Sequence, residues 1–136
     1  MLCLILTSCS GQDINITLKI HNKSGKVLDS VKVTDVFRNK NMYYNIKKDS
    51  IITYISSGPK SSLPRGEATV FYLTAFENVD YYVATNGFIG FPTAYLKDEY
   101  EFYIYDTYIA IEEGYVTPDK HPDQRKSLEE YRKQFN

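Results

Sequence analysis

Asp13-Ile14-Asn15-Ile16-Thr17-Leu18-Lys19-Ile20-His21-Asn22-Lys23-Ser24-Gly25-Lys26-Val27-Leu28-Asp29-Ser30-Val31-Lys32-Val33-Thr34 is the stretch whose reading decides the fold. Ile14, Ile16, Leu18 and Ile20 alternate with Asn15, Thr17 and Lys19, the period of a half-buried strand. Asn22-Lys23-Ser24-Gly25 is a turn cluster whose Gly can take a positive φ. The chain resumes as an apolar strand carrying Val27, Val31 and Val33. Paired as a hairpin around residues 22–25, the runs set Ile20 by Val27, Ile16 by Val31 and Ile14 by Val33. In that register Asp29 shares the inward face opposite Leu18, as a charge that discourages edge-to-edge pairing. One greasy face then needs a second layer to cover it.

Working outward, a chain of 136 residues suits one domain with its own core. Apolar residues at 43% and charged residues at 24% mark it as globular rather than disordered. A net charge of -1 with no dominant basic patch argues against nucleic acid as a partner. The 13 Tyr and absent Trp suit half-buried strand faces and binding surfaces alike, because Tyr joins a large apolar ring to a polar tip.

Both cysteines, Cys3 and Cys9, lie in the first nine residues, so neither can cross-link the body. Leu6-Thr7-Ser8-Cys9 resembles the lipobox of bacterial lipoproteins: an aliphatic residue, two small ones, then the modified cysteine. The resemblance implies a diacylglyceryl thioether on Cys9 and removal of residues 1–8 as a signal peptide. Thiolate alkylation suits the cysteine, and small flanking side chains admit a peptidase. Fatty chains such as palmitate contribute roughly 0.8 kcal/mol per buried CH2, so two or three anchor firmly. The other reading of the same residues is an apolar strand ending in a buried Cys. No stretch approaches the 18 or so apolar residues of a spanning helix. Ser10-Gly11-Gln12-Asp13 is then a tether of about 14 Å at full extension, which rests the domain close to the bilayer.

Beyond the opening stretch, residues 35–41 are polar, and 42–46 and 50–55 read as two short strands. Residues 56–66, with two Pro and two Gly, read as a loop. Residues 67–76 are apolar on both sides (Val70, Tyr72 and Phe76 against Phe71, Leu73 and Ala75), which suggests a central strand. Residues 77–80 turn the chain back into an antiparallel partner over 81–85. Residues 100–111 read as one closing run, with Asp106 interrupting the face of Phe102, Ile104, Tyr108 and Ala110. Ser127-Leu128-Glu129-Glu130 matches a capping box, so a helix is expected within 122–135. Helical capping from Pro122 is the alternative start.

Short strands separated by turn signals indicate an all-β, antiparallel β-sandwich, immunoglobulin-like or transthyretin-like, with a short C-terminal helix. A small β-barrel is the alternative. The expected organisation is a signal-peptide remnant at 1–8, a lipidated tether at 9–13, a sandwich at 14–116 and a C-terminal extension at 117–136. The body resembles small uncharacterised bacterial lipoproteins through Asn22-Lys23-Ser24-Gly25, Asp29-Ser30-Val31-Lys32-Val33 and Gly87-Phe88-Ile89-Gly90. That resemblance implies a membrane-tethered β domain in the cell envelope and brings no activity with it. For a Gram-negative envelope, Ser10 after Cys9 implies sorting to the outer membrane, on its periplasmic side or at the cell surface.

Residues able to carry chemistry are few. His21 and His121 sit in unrelated contexts with no spare Cys, so neither metal nor cofactor is expected. No phosphate loop or nucleophile elbow is present in the sequence. Asp98, Glu99, Glu101 and Asp106 could serve a calcium site or a carboxylate hydrolase, but read better as a solvated face or as partners of Lys97. The candidate partner-binding residues are Phe88, Ile89 and Phe91, between glycines and a proline, with Tyr81, Tyr82 and Tyr95 nearby. These features point to a non-catalytic, lipid-anchored interaction module. An inhibitor or immunity-type lipoprotein acting on an envelope enzyme, and an envelope hydrolase, are the alternatives.

Overall fold

A computed structural model describes residues 13–63, 68–69, 71–78, 81–85, 91–92, 97–111 and 125–135. Its strands are β1 (Asp13–Asn22), β2 (Leu28–Thr34), β3 (Lys40–Ile46), β4 (Ile51–Pro59), β5 (Ala68–Thr69), β6 (Tyr72–Phe76), β7 (Tyr81–Thr85), β8 (Phe91–Pro92), β9 (Glu99–Ile104), β10 (Ile109–Ile111) and β11 (Arg125–Ser127). Helix α1 (Leu128–Phe135) ends the chain. One sheet has the order β10-β9-β1-β4 and the other β11-β7-β6-β2-β3. Between them they bury Ile16, Leu18, Ile20, Val31, Val33, Leu73, Ala75, Phe102 and Ile104 in one apolar core. This is the expected β-sandwich; among the described residues neither sheet closes into a barrel.

The opening hairpin is corrected. β1 pairs with β4 and β9, and β2 pairs with β3 and β6, so the two runs lie in different sheets. Residues 23–27 arch from one layer to the other, helped by Gly25 at φ 81°. Parity arguments decide which side chains share a face. They do not decide whether two greasy strands meet edge to edge or face to face across a core. Ile16, Leu18 and Ile20 do meet Val31 and Val33, but across the sandwich. Leu28 is buried in place of Val27. Asp29 is exposed rather than inward, and β2 lies between β3 and β6, not at an edge.

A second departure is the direction of β9. β9 lies along the other side of β1 in the same direction, and Thr17 to Asn22 pair in parallel with Glu99 to Ile104. Every other strand pair among the described residues is antiparallel. The closing run also divides: Tyr105 N donates to Tyr108 O at 2.8 Å, and β10 returns along β9. Asp106, the interruption visible in the sequence, sits in that turn.

β4 runs on to Pro59, into what the sequence suggested was loop, and a single turn of 3-10 helix at Lys60–Ser62 follows. Gly58 is required there by packing: a Cβ would lie 2.7 Å from the Phe37 ring. β6 is an inner strand as expected, with Leu73 and Ala75 buried, but its Tyr72 faces solvent. The pairing of β6 with β7 is also as expected. At the C-terminus, Glu130 N donates to Ser127 Oγ (3.2 Å) and Ser127 N to Glu130 Oε2 (3.4 Å). That reciprocal capping box starts α1 at Leu128, not at Pro122. The preceding β11 adds the C-terminal segment to the second sheet beside β7.

Candidate interaction surfaces

Two buried polar centres hold the frame on which any surface is displayed. Asn22 is fully buried at the end of β1. Its Nδ2 donates to the carbonyls of Lys26 (2.9 Å), Ile46 (3.1 Å) and Lys47 (3.1 Å), while its Oδ1 accepts from Ser24 N and Ser24 Oγ. One side chain thus ties the arch to the β3–β4 turn. Asp35 is buried after β2. Its carboxylate accepts from Phe37 N (2.9 Å), Asn39 N (2.8 Å), Asn39 Nδ2 (3.3 Å), Tyr54 Oη (2.7 Å) and Ser56 Oγ (3.0 Å). The last two come from the opposite sheet. Burial, reinforced by the bond to Asp35, pushes the Tyr54 phenol well above the usual tyrosine range.

Across one end of the sandwich, Lys26 bonds both Glu77 and Asp106, joining the arch to the ends of β6 and of the β9–β10 turn. Burial opposes its charge, but hydrogen bonds to Asp106 and Glu77 outweigh it and hold the ammonium above the usual lysine range. The second Glu77 oxygen is buried with no hydrogen-bond partner among the described residues. A groove of about 510 Å³ lies beside this clasp, between Val27, Tyr44 and Glu77.

The acidic residues of β9 occupy the outer face of the first sheet. Glu99 Oε1 lies 2.9 Å from Lys19 Nζ, and Glu101 Oε1 lies 3.2 Å from His21 Nε2. Tyr103 Oη donates to Glu101 Oε2 at 3.2 Å, and the His21 ring stacks on Tyr103 at 4.5 Å. Tyr105 stacks in turn on Tyr108 at 4.8 Å. The carboxylates therefore pair with Lys19 and His21 of β1 rather than with Lys97, beside the buried Tyr103. Their neighbours here are a lysine and a histidine of the adjacent strand, and the Lys19–Glu99 pair is the more exposed of the two. Among the described residues, no three His, Cys, Asp or Glu side chains are grouped to hold a metal.

The proposed aromatic tip is described only at its flanks. Tyr81 and Tyr82 lie on β7, opposite Ser127 and Lys126, with Tyr82 also opposite Phe76. Phe91 lies on β8, opposite Thr69 of β5. The β5–β8 ribbon therefore sets Ala68 and Thr69 beside Pro92 and Phe91, a neighbourhood no periodicity could reveal. Phe88, Ile89 and Tyr95 lie outside the described residues, as does Cys9 with the whole of 1–12.

One surface escaped the sequence reading. The outer face of the second sheet exposes Met42, Tyr44 (71%) and Tyr72 (51%) around Lys32, Thr34 and Thr74. Their signal was the period of two in β3 and β6, masked in β6 by apolar residues on both faces. Among the described residues no helix is long and apolar enough to cross a membrane.

No family model matches the chain, and no curated protein matches it. An NMR structure of a protein from Eubacterium rectale is similar at a TM-score of 0.55 and 14% identity. The match covers 76% of this chain and 93% of that one. At that identity the likeness bears on the fold alone, and it is the sandwich that the two chains share.

Proposed function

We propose that this chain is a lipid-anchored, non-catalytic interaction module of the bacterial cell envelope. The observation that carries the reading is Leu6-Thr7-Ser8-Cys9 only four residues before β1, which starts at Asp13. Acylation at Cys9 would seat the sandwich against a bilayer, with little freedom to swing away. Rigid sheets, buried polar anchors and exposed Tyr44 and Tyr72 support a role in presenting surface rather than in turning over substrate. Inhibition of an envelope enzyme by the 87–92 tip is the narrower form of this reading.

Expressed in a lipoprotein-processing bacterium, the chain takes up labelled palmitate and fractionates with membranes. Cys9→Ser abolishes both. An intact, unacylated N-terminus by mass spectrometry would overturn the anchor. For the tip, the double substitution Phe88→Ala with Phe91→Ala is expected to weaken capture of an envelope partner at least about tenfold, the scale of one hot-spot aromatic. The urea midpoint should stay unchanged. Undiminished capture would move the binding surface elsewhere.

A further inference from the structure

Among the described residues, the four edges of the two large sheets are not equally protected. β10 and β11 are three residues each, and β11 carries Arg125 and Lys126. β3 opens with Lys40, and its Asn45 is left-handed at φ 54°, which breaks a flat ladder. Short length, charge and local distortion are the ordinary means by which an edge is closed to other strands. β4 has none of them. Its nine residues, Ile-Ile-Thr-Tyr-Ile-Ser-Ser-Gly-Pro, contain no charge, and proline enters only at the last position.

The direction of the free backbone groups follows from one bond. Asn22 N donates to Ser50 O at 2.9 Å, and β1 and β4 then pair from His21 opposite Ile51 to Asp13 opposite Pro59. Hydrogen-bonded positions alternate in an antiparallel pair. Even-numbered residues of β4 therefore bond to β1, and Ile51, Thr53, Ile55 and Ser57 aim their N–H and C=O groups at the open edge. Among the described residues no strand pairs with that edge. The same odd positions expose their side chains, Ile51 at 55% and Ile55 at 59%.

We propose that β4 is a self-association edge, pairing antiparallel with β4 of a second copy about a two-fold axis. Only odd positions can meet odd positions. With Thr53 opposite Thr53 of the second copy, each Ile51 faces an Ile55, and the two exposed aliphatic pairs flank the axis on one outer surface. The strand's lack of charge removes the like-charge opposition that β11 would meet on pairing with itself. Each chain spends the one unprotected edge that its two large sheets show among the described residues, so the assembly closes at two copies rather than growing into a fibre. A single strand pair is smaller than a standard interface, so the dissociation constant is expected to be on the order of 100 µM. The inference does not rest on the lipid anchor, though tethering two copies to one membrane would raise their effective concentration.

The test is sedimentation of the full 136-residue chain, unacylated and reduced, across a wide concentration range. A reversible monomer–dimer equilibrium is expected. Thr53→Glu places two carboxylates across the axis while leaving a favourable cross-strand neighbour in Lys19, and should weaken the dimer at least about tenfold. Thr53→Cys, in a background with Cys3 and Cys9 changed to Ser, should cross-link on oxidation, because hydrogen-bonded antiparallel pairs hold Cα atoms about 5.5 Å apart. A chain monomeric at every concentration would overturn the proposal. So would a dimer that Thr53→Glu leaves intact and Thr53→Cys fails to cross-link.

Discussion

Asp35→Ala is expected to cost about 3–4 kcal/mol of folding stability, read as a lower urea midpoint with an unchanged slope. The carboxylate accepts five hydrogen bonds: two from its own turn's backbone, one from the Asn39 amide and two from hydroxyls of the facing sheet. Among the described residues no cation touches it. Its charge is thus stabilised by donors alone, and truncation strands those donors in a dry place. Phe37 N and Asn39 N lie near the surface and can turn to water. Tyr54 Oη and Ser56 Oγ, both buried, cannot do so cheaply. Tyr54→Phe removes a single donor and should cost less, about 1–1.5 kcal/mol. The pH dependence separates the two variants further. The folded phenol of Tyr54 ionises above its unfolded value of 10.0. Its share of stability is whole below that pH and is lost as pH rises towards the folded value. Tyr54→Phe should remove that part of the alkaline decline. If Asp35→Ala unfolds within 1 kcal/mol of the parent, the carboxylate is not the inter-sheet anchor described here.

Asp35 also shows what the sequence could and could not reveal. Strand existence was legible because it is local: alternating Ile14, Ile16, Leu18 and Ile20 need no partner to be recognised. The helix start was legible too, since Ser127 and Glu130 are three residues apart and bond each other. The capacity of Asp35 as an anchor depended on Tyr54 and Ser56, some twenty residues later and in the other layer, which no local pattern brings to it. The same limit produced the hairpin error. Residues 13–34 contain two greasy strands and a turn, and that description fits an edge-to-edge hairpin as well as an arch between layers. What separates them is where the backbone of β1 finds its bonds, and it finds them on β4 and on β9, the latter about eighty residues away. Of the binding candidates, Tyr81, Tyr82 and Phe91 were placed on strands, whereas exposed Tyr44 and Tyr72 became candidates only once their sheet faces were known.

Asn22 provides the second large effect, and the order of its variants is more informative than the size of either. Its amide does two opposite jobs: Nδ2 donates to three carbonyls, and Oδ1 accepts from Ser24. Asn22→Ala removes both and is expected to cost about 2–3 kcal/mol, since part of the loss is covered. Ser24 Oγ, released from Asn22 Oδ1, can turn its one proton to Lys26 O, and Ser50 N and Oγ still donate to Lys47 O. Asn22→Asp keeps the shape and the bonds from Ser24 but turns the donor into a second anionic acceptor. That oxygen then faces the carbonyls of Lys26, Ile46 and Lys47 at 2.9–3.1 Å, too close for a water to fit between them. The near-isosteric change should therefore be the worse one, at about 4 kcal/mol or more at neutral pH. A protonated Asp regains one donor, so its deficit should shrink on acidification while that of Asn22→Ala stays level. Urea titrations of both variants at pH 7 and pH 4 decide the matter. If Asn22→Asp is the milder change at pH 7, the amide nitrogen is not what joins the arch to the β3–β4 turn.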